Sequence, residues 1–336
     1  MKKVRVGING MGRIGRTVLR EIFNLNHPVL EVVAVNNPGV SETYVHLLRY
    51  DSNHGKFLKQ VDFKDGILTI DSKKVLFFNS PDPKDIPWDK ANVDLVIDST
   101  GKFKDREALS KHLRGSVKKV MMCAPGKNLD GTFVMGVNNQ SFDPAKHQIF
   151  SNASCTTNCL APVAKVIHDK YGIENGMMTT VHSYTLDQNI LDSSHKDLRR
   201  ARAGAVSIIP TVTGAAKAIG LVIPELTGKL DGFSLRVPTP NVSLVDLTVY
   251  LKKNASIAEI NQTLKDASMN HLKGIIEYTE EELVSVDYMS NPNSAIIDSK
   301  LTNVIGNMVK IVSWYDNEFG FSRRVIDLAS YAGERM

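Results

Sequence analysis

The sequence predicts an α/β chain of two domains, the first a doubly wound, mostly parallel sheet, and three observations carry that prediction. The chain has 336 residues, enough for about two domains that each bury a core without cross-links. Through the N-terminal half, short apolar runs of strand length alternate with helical patterns, as βαβ units do. A glycine-rich turn stands where the first strand runs into the first helix.

Val4 to Ile8 is the first strand, and it leads into Gly10-Met11-Gly12-Arg13-Ile14-Gly15 and an amphipathic helix to about Phe23. This is G-x-G-x-x-G in its required setting. The first glycine permits the tight turn, the second lets the backbone approach a pyrophosphate, and the third lets helix and strand pack closely. A dinucleotide with its pyrophosphate on the helix N-terminus is expected. The second strand, Leu30 to Val35, ends at Asn36-Asn37-Pro38, where a fold that takes NAD usually places an acid for the ribose hydroxyls. Asn37 is neutral: it can bond a hydroxyl, and it repels no 2′-phosphate, which relaxes discrimination against NADP. Ser41 is expected to cap a helix through about Leu48, and Asp65-Gly66 marks a hairpin. Val93 to Ile97 is a buried strand ending in Asp98-Ser99-Thr100-Gly101, followed by a helix near Arg106 to Leu113 and a strand near Val117 to Met122. Loops at the carboxyl ends of parallel strands line the cofactor crevice, so Thr100, Gly101 and Cys123 are expected beside the nicotinamide half.

The stretch Ser151 to Cys159, S-N-A-S-C-T-T-N-C, follows an apolar strand pattern at His147 to Phe150 and precedes helical spacing at Leu160 to Ile167. Its small polar residues are good N-caps, which puts Cys155 in the first turn of a helix. Unpaired N–H groups and the macrodipole there favour a thiolate, the form in which cysteine is a nucleophile. A thiol nucleophile needs a base, and His182, on the strand pattern Met177 to Tyr184, is a candidate among nine histidines. Next comes a cationic run, His195-Lys196-Asp197-Leu198-Arg199-Arg200-Ala201-Arg202, and then Thr213-Gly214 at the start of an alanine-rich helix. Hydroxyl, backbone N–H and arginine together suit a phosphate.

Composition narrows the class. Three cysteines make no disulfide framework, and no run of about 20 apolar residues or leader-like start is present, so a cytoplasmic chain with no membrane role is expected. The net charge of +5 is spread along the chain; it suits small anions and calls for no nucleic acid. No metal site is expected.

The motifs resemble the phosphorylating glyceraldehyde-3-phosphate dehydrogenases over nearly the whole chain. I-N-G-x-G-R-I-G-R (Ile8 to Arg16), S-N-A-S-C-T-T-N-C-L-A-P (Ser151 to Pro162), H-S-Y-T (His182 to Thr185), H-K-D-L-R-R-A-R (His195 to Arg202), R-V-P-T-P-N (Arg236 to Asn241) and W-Y-D-N-E (Trp314 to Glu318) recur in that family in this order. The resemblance implies that Cys155 attacks the aldehyde of glyceraldehyde 3-phosphate and His182 acts as base. A thioester would then be cleaved by inorganic phosphate. It implies that Thr185 and Arg236 hold the substrate phosphate. Ser154, Thr156, Thr213 and Gly214, with Arg200, would line a second anion site. Arg13 and Ile14 would lie along the pyrophosphate, and Asn317 would orient the nicotinamide amide. It further implies a Rossmann domain over residues 1–152 completed by a helix over 318–336, an α+β catalytic domain with a mostly antiparallel sheet over 153–317, and a homotetramer in which the segment from about Asn175 to Ile209 meets neighbouring subunits.

Departures from the family pattern bear on the cofactor. Most NAD-using members carry aspartate at Asn37 and Leu-Pro at Ser193-Ser194, and photosynthetic NADP-using members have small or hydroxyl residues at that pair. Pro81 replaces a frequent arginine near the adenine, and Cys123 a serine or threonine. NADP, alone or alongside NAD, is therefore expected to be accepted. Two alternatives stay open on sequence alone: an erythrose-4-phosphate dehydrogenase that releases the acid, and a redox-sensing binding protein with Cys155 as an oxidisable switch.

Overall fold

The computed structural model describes residues 3–336 and divides the chain into two compact units. The first comprises residues up to 133, 139–153 and 322–336; the second comprises 134–138 and 154–321.

The first unit is built on a nine-stranded sheet. Its order is Gly131–Thr132, Ile149–Ser151, Lys119–Met122, Leu95–Asp98, Val4–Asn9, Leu30–Asn36, Lys73–Phe78, Ile67–Ile70 and Val61–Lys64. All pairings from the first edge to Lys73–Phe78 are parallel. The five strands from Ile149–Ser151 to Leu30–Asn36 are largely apolar and almost wholly buried, as a sheet covered by helices requires, whereas Gly131–Thr132 is half-buried and Lys73–Phe78 starts with two exposed lysines. The last three strands form an antiparallel meander turning at Asp65-Gly66. Both turn residues have positive φ, +51° and +73°, the demand of a type I′ loop. Val4–Asn9 lies between strands reached in opposite directions along the sheet, so the crevice at its carboxyl end is the topological switch point.

The helix Arg13–Asn24 begins there, with Gly12 as its N-cap. Gly10 has φ +98°, and a Cβ on Gly15 would lie 1.9 Å from the Gly10 carbonyl oxygen, so both glycines are required by geometry. The helix expected to be capped by Ser41 runs Ser41–Arg49 with Val40 as N-cap. Ser41 is its first residue, and its hydroxyl bonds Asn79 at 3.2 Å instead. The helix Phe319–Gly333 gives its residues from Ser322 onward to this unit: Arg323 reaches Glu21 at 4.0 Å, and Gly333 packs against Val4.

The second unit is an eight-stranded mixed sheet. Its path runs Ile209–Val212, Leu230–Val237, Ile173–Ser183, Ser243–Leu251, Met308–Tyr315, Ala295–Asp298 and Ile276–Thr279, with Asn303–Ile305 also on Met308–Tyr315. Most pairings are antiparallel, but Ile173–Ser183 runs parallel to Leu230–Val237, and Ile276–Thr279 parallel to Ala295–Asp298. The helix Cys155–Tyr171 packs on this sheet beside Ala215–Val222 and Ile257–Met269. Among the described residues no helix is long and apolar enough to cross a membrane, and no cluster of His, Cys, Asp or Glu could hold a metal.

Candidate active site

Ser154 is the N-cap of the long helix: its Oγ accepts the Thr157 backbone N–H at 3.1 Å. That cap puts Cys155 at the first helical position, its side chain partly exposed. His182, 4% exposed near the end of Ile173–Ser183, presents Nε2 to the Cys155 Sγ at 3.5 Å. The parallel register pairs His182 with Arg236 on the adjacent strand, and Arg236 Nη1 lies 2.7 Å from His182 Nδ1. A cysteine, an imidazole and a guanidinium from three elements thus form one row.

The electrostatics qualify one expectation. Burial pushes the Cys155 thiol above its usual range, against the pull of Arg236 and of the Thr156 hydrogen bonds. Desolvation thus works against the thiolate that the helix start and Arg236 favour. Burial, and then the positive charges of Arg236 and Arg200, push His182 from 6.5 down to about 3. The folded imidazole stays neutral where the unfolded one is protonated. Between about pH 3 and pH 6.5 the unfolded state binds the extra proton, so this contribution to stability is present above that window and is lost as pH falls through it. His182→Gln is expected to reduce the dependence of unfolding free energy on pH by up to about 1.4 kcal/mol per unit, measured by urea unfolding between pH 4.5 and 6.5.

Tyr315 stands behind the cysteine. Its buried hydroxyl lies 2.9 Å from the hydroxyls of both Thr156 and Thr180, and its ring meets His182 edge-on at 6.0 Å. Asn317 is fixed by two donors: the Ser183 and Ser243 hydroxyls each reach its Oδ1 at 2.8 Å, which turns its NH₂ the other way. Sequence reasoning missed Tyr315, Ser183 and Ser243; W-Y-D-N-E contains Tyr315, but nothing local signals its partners.

The other anion candidates are arranged less directly. The Thr185 hydroxyl and N–H both meet Gln188 Oε1, at 3.2 and 2.7 Å. Arg200 is ion-paired to Asp187 and, at 3.6 Å, to Asp197. Thr213 Oγ1 accepts the Ala215 N–H at 3.2 Å, and Gly214 caps the helix Ala215–Val222 with open space where a Cβ would stand. The Thr156 hydroxyl points inward to Tyr315. Ser193 and Ser194 are exposed.

In the first unit, the residues fit a dinucleotide. A Cβ on Gly12 or Gly101 would meet nothing within 4 Å, and the helix at Gly12 has no side-chain cap, which leaves a cradle for phosphate oxygens. Arg13 flanks the cradle in an ion pair with Asp51, with Ile14 half-buried beside it. Burial opposes the Asp51 carboxylate, yet Arg13 and the His54 and Asn53 N–H groups hold it well below its usual range. Asn37 is tied to the glycine turn: its Oδ1 accepts the Met11 N–H at 2.9 Å and its Nδ2 donates to the Pro38 carbonyl at 2.8 Å. Thr100 donates to Asp98 at 2.7 Å, and the Cys123 N–H donates to the Asp98 carbonyl at 2.9 Å. Burial, with Asp98 nearby, holds the Cys123 thiol protonated.

Residues 4–106 match the family model described as glyceraldehyde 3-phosphate dehydrogenase, NAD binding domain, and residues 154–317 match that of the C-terminal domain. Three relatives cover 99% of this chain and of their own length. Glyceraldehyde-3-phosphate dehydrogenase of Geobacillus stearothermophilus is 55% identical over 333 residues. Glyceraldehyde-3-phosphate dehydrogenase 2 of a Nostoc species is 53% identical over 335 residues, and glyceraldehyde-3-phosphate dehydrogenase 1 of Bacillus subtilis is 54% identical over 333.

Proposed function

The chain belongs to the glyceraldehyde-3-phosphate dehydrogenase family, and from that premise we propose that Cys155 and His182 carry its NAD(P)-dependent oxidation and phosphorylation of glyceraldehyde 3-phosphate to 1,3-bisphosphoglycerate. The observation that supports these roles most directly is the 3.5 Å approach of His182 Nε2 to Cys155 Sγ at a helix start.

Cys155 Sγ attacks the aldehyde carbon, and the thiol proton passes to His182 Nε2 as the C–S bond forms. The resulting oxyanion of the hemithioacetal sits against Nε2–H and the Cys155 backbone N–H. When bound, a nicotinamide would supply the two-electron oxidant, accepting hydride, that this oxidation to a thioester needs. Asn317, its oxygen held by Ser183 and Ser243, would turn its NH₂ to the nicotinamide amide. Thr185 and Arg236 bind the substrate phosphate. Ser154, Thr156, Thr213, Gly214 and Arg200 hold the attacking phosphate ion; its oxygen bonds the thioester carbon, the C–S bond breaks, and Cys155 leaves as a thiolate that is reprotonated.

NADP is accepted, alone or alongside NAD. Asn37 supports this because it keeps the place of the usual acid with a neutral amide, and Ser193 and Ser194 add hydroxyls. Asn37→Asp is expected to lower kcat/KM with NADP about tenfold or more by repelling the 2′-phosphate, with little change for NAD. Steady-state rates with each cofactor decide it.

The active form is a homotetramer of the cytoplasm. Leu186, Ile190, Leu191, Leu198, Val206 and Ile208 are each at least two-thirds exposed along one segment, an apolar surface that association would cover.

The test of the function is initial-rate formation of reduced cofactor from glyceraldehyde 3-phosphate, with NAD and with NADP, each with and without inorganic phosphate. Phosphate-dependent turnover is expected. Turnover indifferent to phosphate would mean that the acid is the product, and a strong preference for NAD would overturn the cofactor proposal.

A further inference from the structure

His182 Nδ1 lies 2.7 Å from two groups with opposite demands, the Ser183 carbonyl oxygen and Arg236 Nη1. A neutral imidazole carries one ring proton, so Nδ1 either donates to the carbonyl or accepts from the guanidinium. Arginine is always a donor, so its approach selects the accepting state. The same Nη1 also reaches the Ser183 oxygen at 3.1 Å, which leaves the carbonyl satisfied. The ring proton then sits on Nε2, facing Cys155 Sγ. In that tautomer His182 has no lone pair with which to take the thiol proton. The arrangement is not locked, because Arg236 Nε finds no hydrogen-bond partner among the described residues.

We infer that Arg236 is a switch on His182: it holds Nδ1 in the accepting tautomer until the phosphate of an incoming triose phosphate draws the guanidinium away. The inference rests on the reading of Arg236 as a phosphate ligand given above. Once the guanidinium turns to the phosphate, Nδ1–H donates to the Ser183 carbonyl and Nε2 is bare. That change of tautomer leaves the ring neutral: solvent water takes the proton from Nε2 and returns one to Nδ1. The thiol proton then moves from Sγ to Nε2 as sulfur bonds carbon.

The charges around the ring point the same way. Facing it are Cys155 from the helix, Arg236 from the neighbouring strand, Arg200 from the loop after Ser183 and the Tyr315 edge from Met308–Tyr315. Of these only the arginines are charged at neutral pH, and both disfavour an imidazolium. Arg200 is already compensated by Asp187, so Arg236 is the charge a substrate can neutralise. Its charge also favours a Cys155 thiolate, but it sits on the Nδ1 side of the ring while sulfur faces Nε2, so neutralising it helps the imidazolium more than it hurts the thiolate. An aldehyde without a phosphate would bind to a site whose base is in the wrong tautomer.

The experiment is ¹⁵N NMR of the full chain with labelled histidine, the His182 signals assigned by their loss in His182→Gln, titrated with glycerol 3-phosphate as an unreactive probe. Nδ1 is expected to change from acceptor type to N–H type as the probe saturates, and the His182 titration midpoint to move up. Arg236→Leu is expected to show the N–H type with no probe present. Saturable binding that depends on Arg236, with Nδ1 unchanged, would overturn the switch and leave the phosphate role standing. Binding that ignores Arg236 would overturn that role and the switch with it. If Arg236→Leu does not fold, the change or constancy of Nδ1 in the wild-type titration decides the switch.

Discussion

Cys155→Ser is expected to lower kcat by about 10⁴-fold or more while the melting temperature stays within a few degrees. Serine fills nearly the same volume, and Ser154 keeps the helix capped, so the fold has little to lose. On the proposed mechanism the chemistry loses its nucleophile: a hydroxyl ionises far less readily than a thiol and gives an ester in place of a thioester. Steady-state assay beside a thermal melt checks both halves. Residual turnover within about tenfold of wild type would mean that another group attacks the aldehyde. Cys159, one turn along, is a poor substitute. It is fully buried, its sulfur lies 3.3 Å from the Ser313 hydroxyl, and burial pushes its thiol up to about 12.

The second large effect is expected from His182→Asn, a loss of about 10²- to 10⁴-fold in kcat, the usual worth of a positioned acid–base group. The rate that remains should rise with pH, because proton removal from Cys155 then falls to solvent base. With His182 as the proposed base, the wild type is expected to show a blunted rise. An unchanged kcat, or a pH profile that keeps its shape, would remove His182 from the base role. Glyceraldehyde 3-phosphate oxidation followed between pH 6 and 9 distinguishes the outcomes.

Parts of this molecule are written locally and parts are not. The parallel strands appear as apolar runs, the Asp65-Gly66 hairpin as a turn that tolerates two positive φ angles, and the first turn at Cys155 as a capping serine before an apolar period. Each depends on a few neighbouring residues. The meeting of Cys155 with His182, 27 residues away, depends on how a strand is laid beside a helix, and no spacing rule contains that. Arg236 reaches His182 only through a parallel register set by the crossover between Ser183 and Leu230. Motif resemblance supplied the names of those residues, and geometry supplied their contacts. Where local rules and packing disagree, packing wins. The helix start favours an ionised Cys155, and desolvation opposes it. Ser41 has the chemistry of a cap, yet Asn79 takes its hydroxyl.

The residues after Ser322 belong with the strands near the N-terminus, Arg323 beside Glu21 and Gly333 against Val4. On the ribosome this reverses the usual order, in which the domain made first finishes first. The nucleotide unit lacks its closing helix until residues 322–336 have been made, by which point every residue of the second unit has been synthesised. During that interval the face that Val325, Ile326, Leu328, Ala329 and Ala332 cover stands open, and a truncation that removes Gly333 reaches back to Val4 on the first strand.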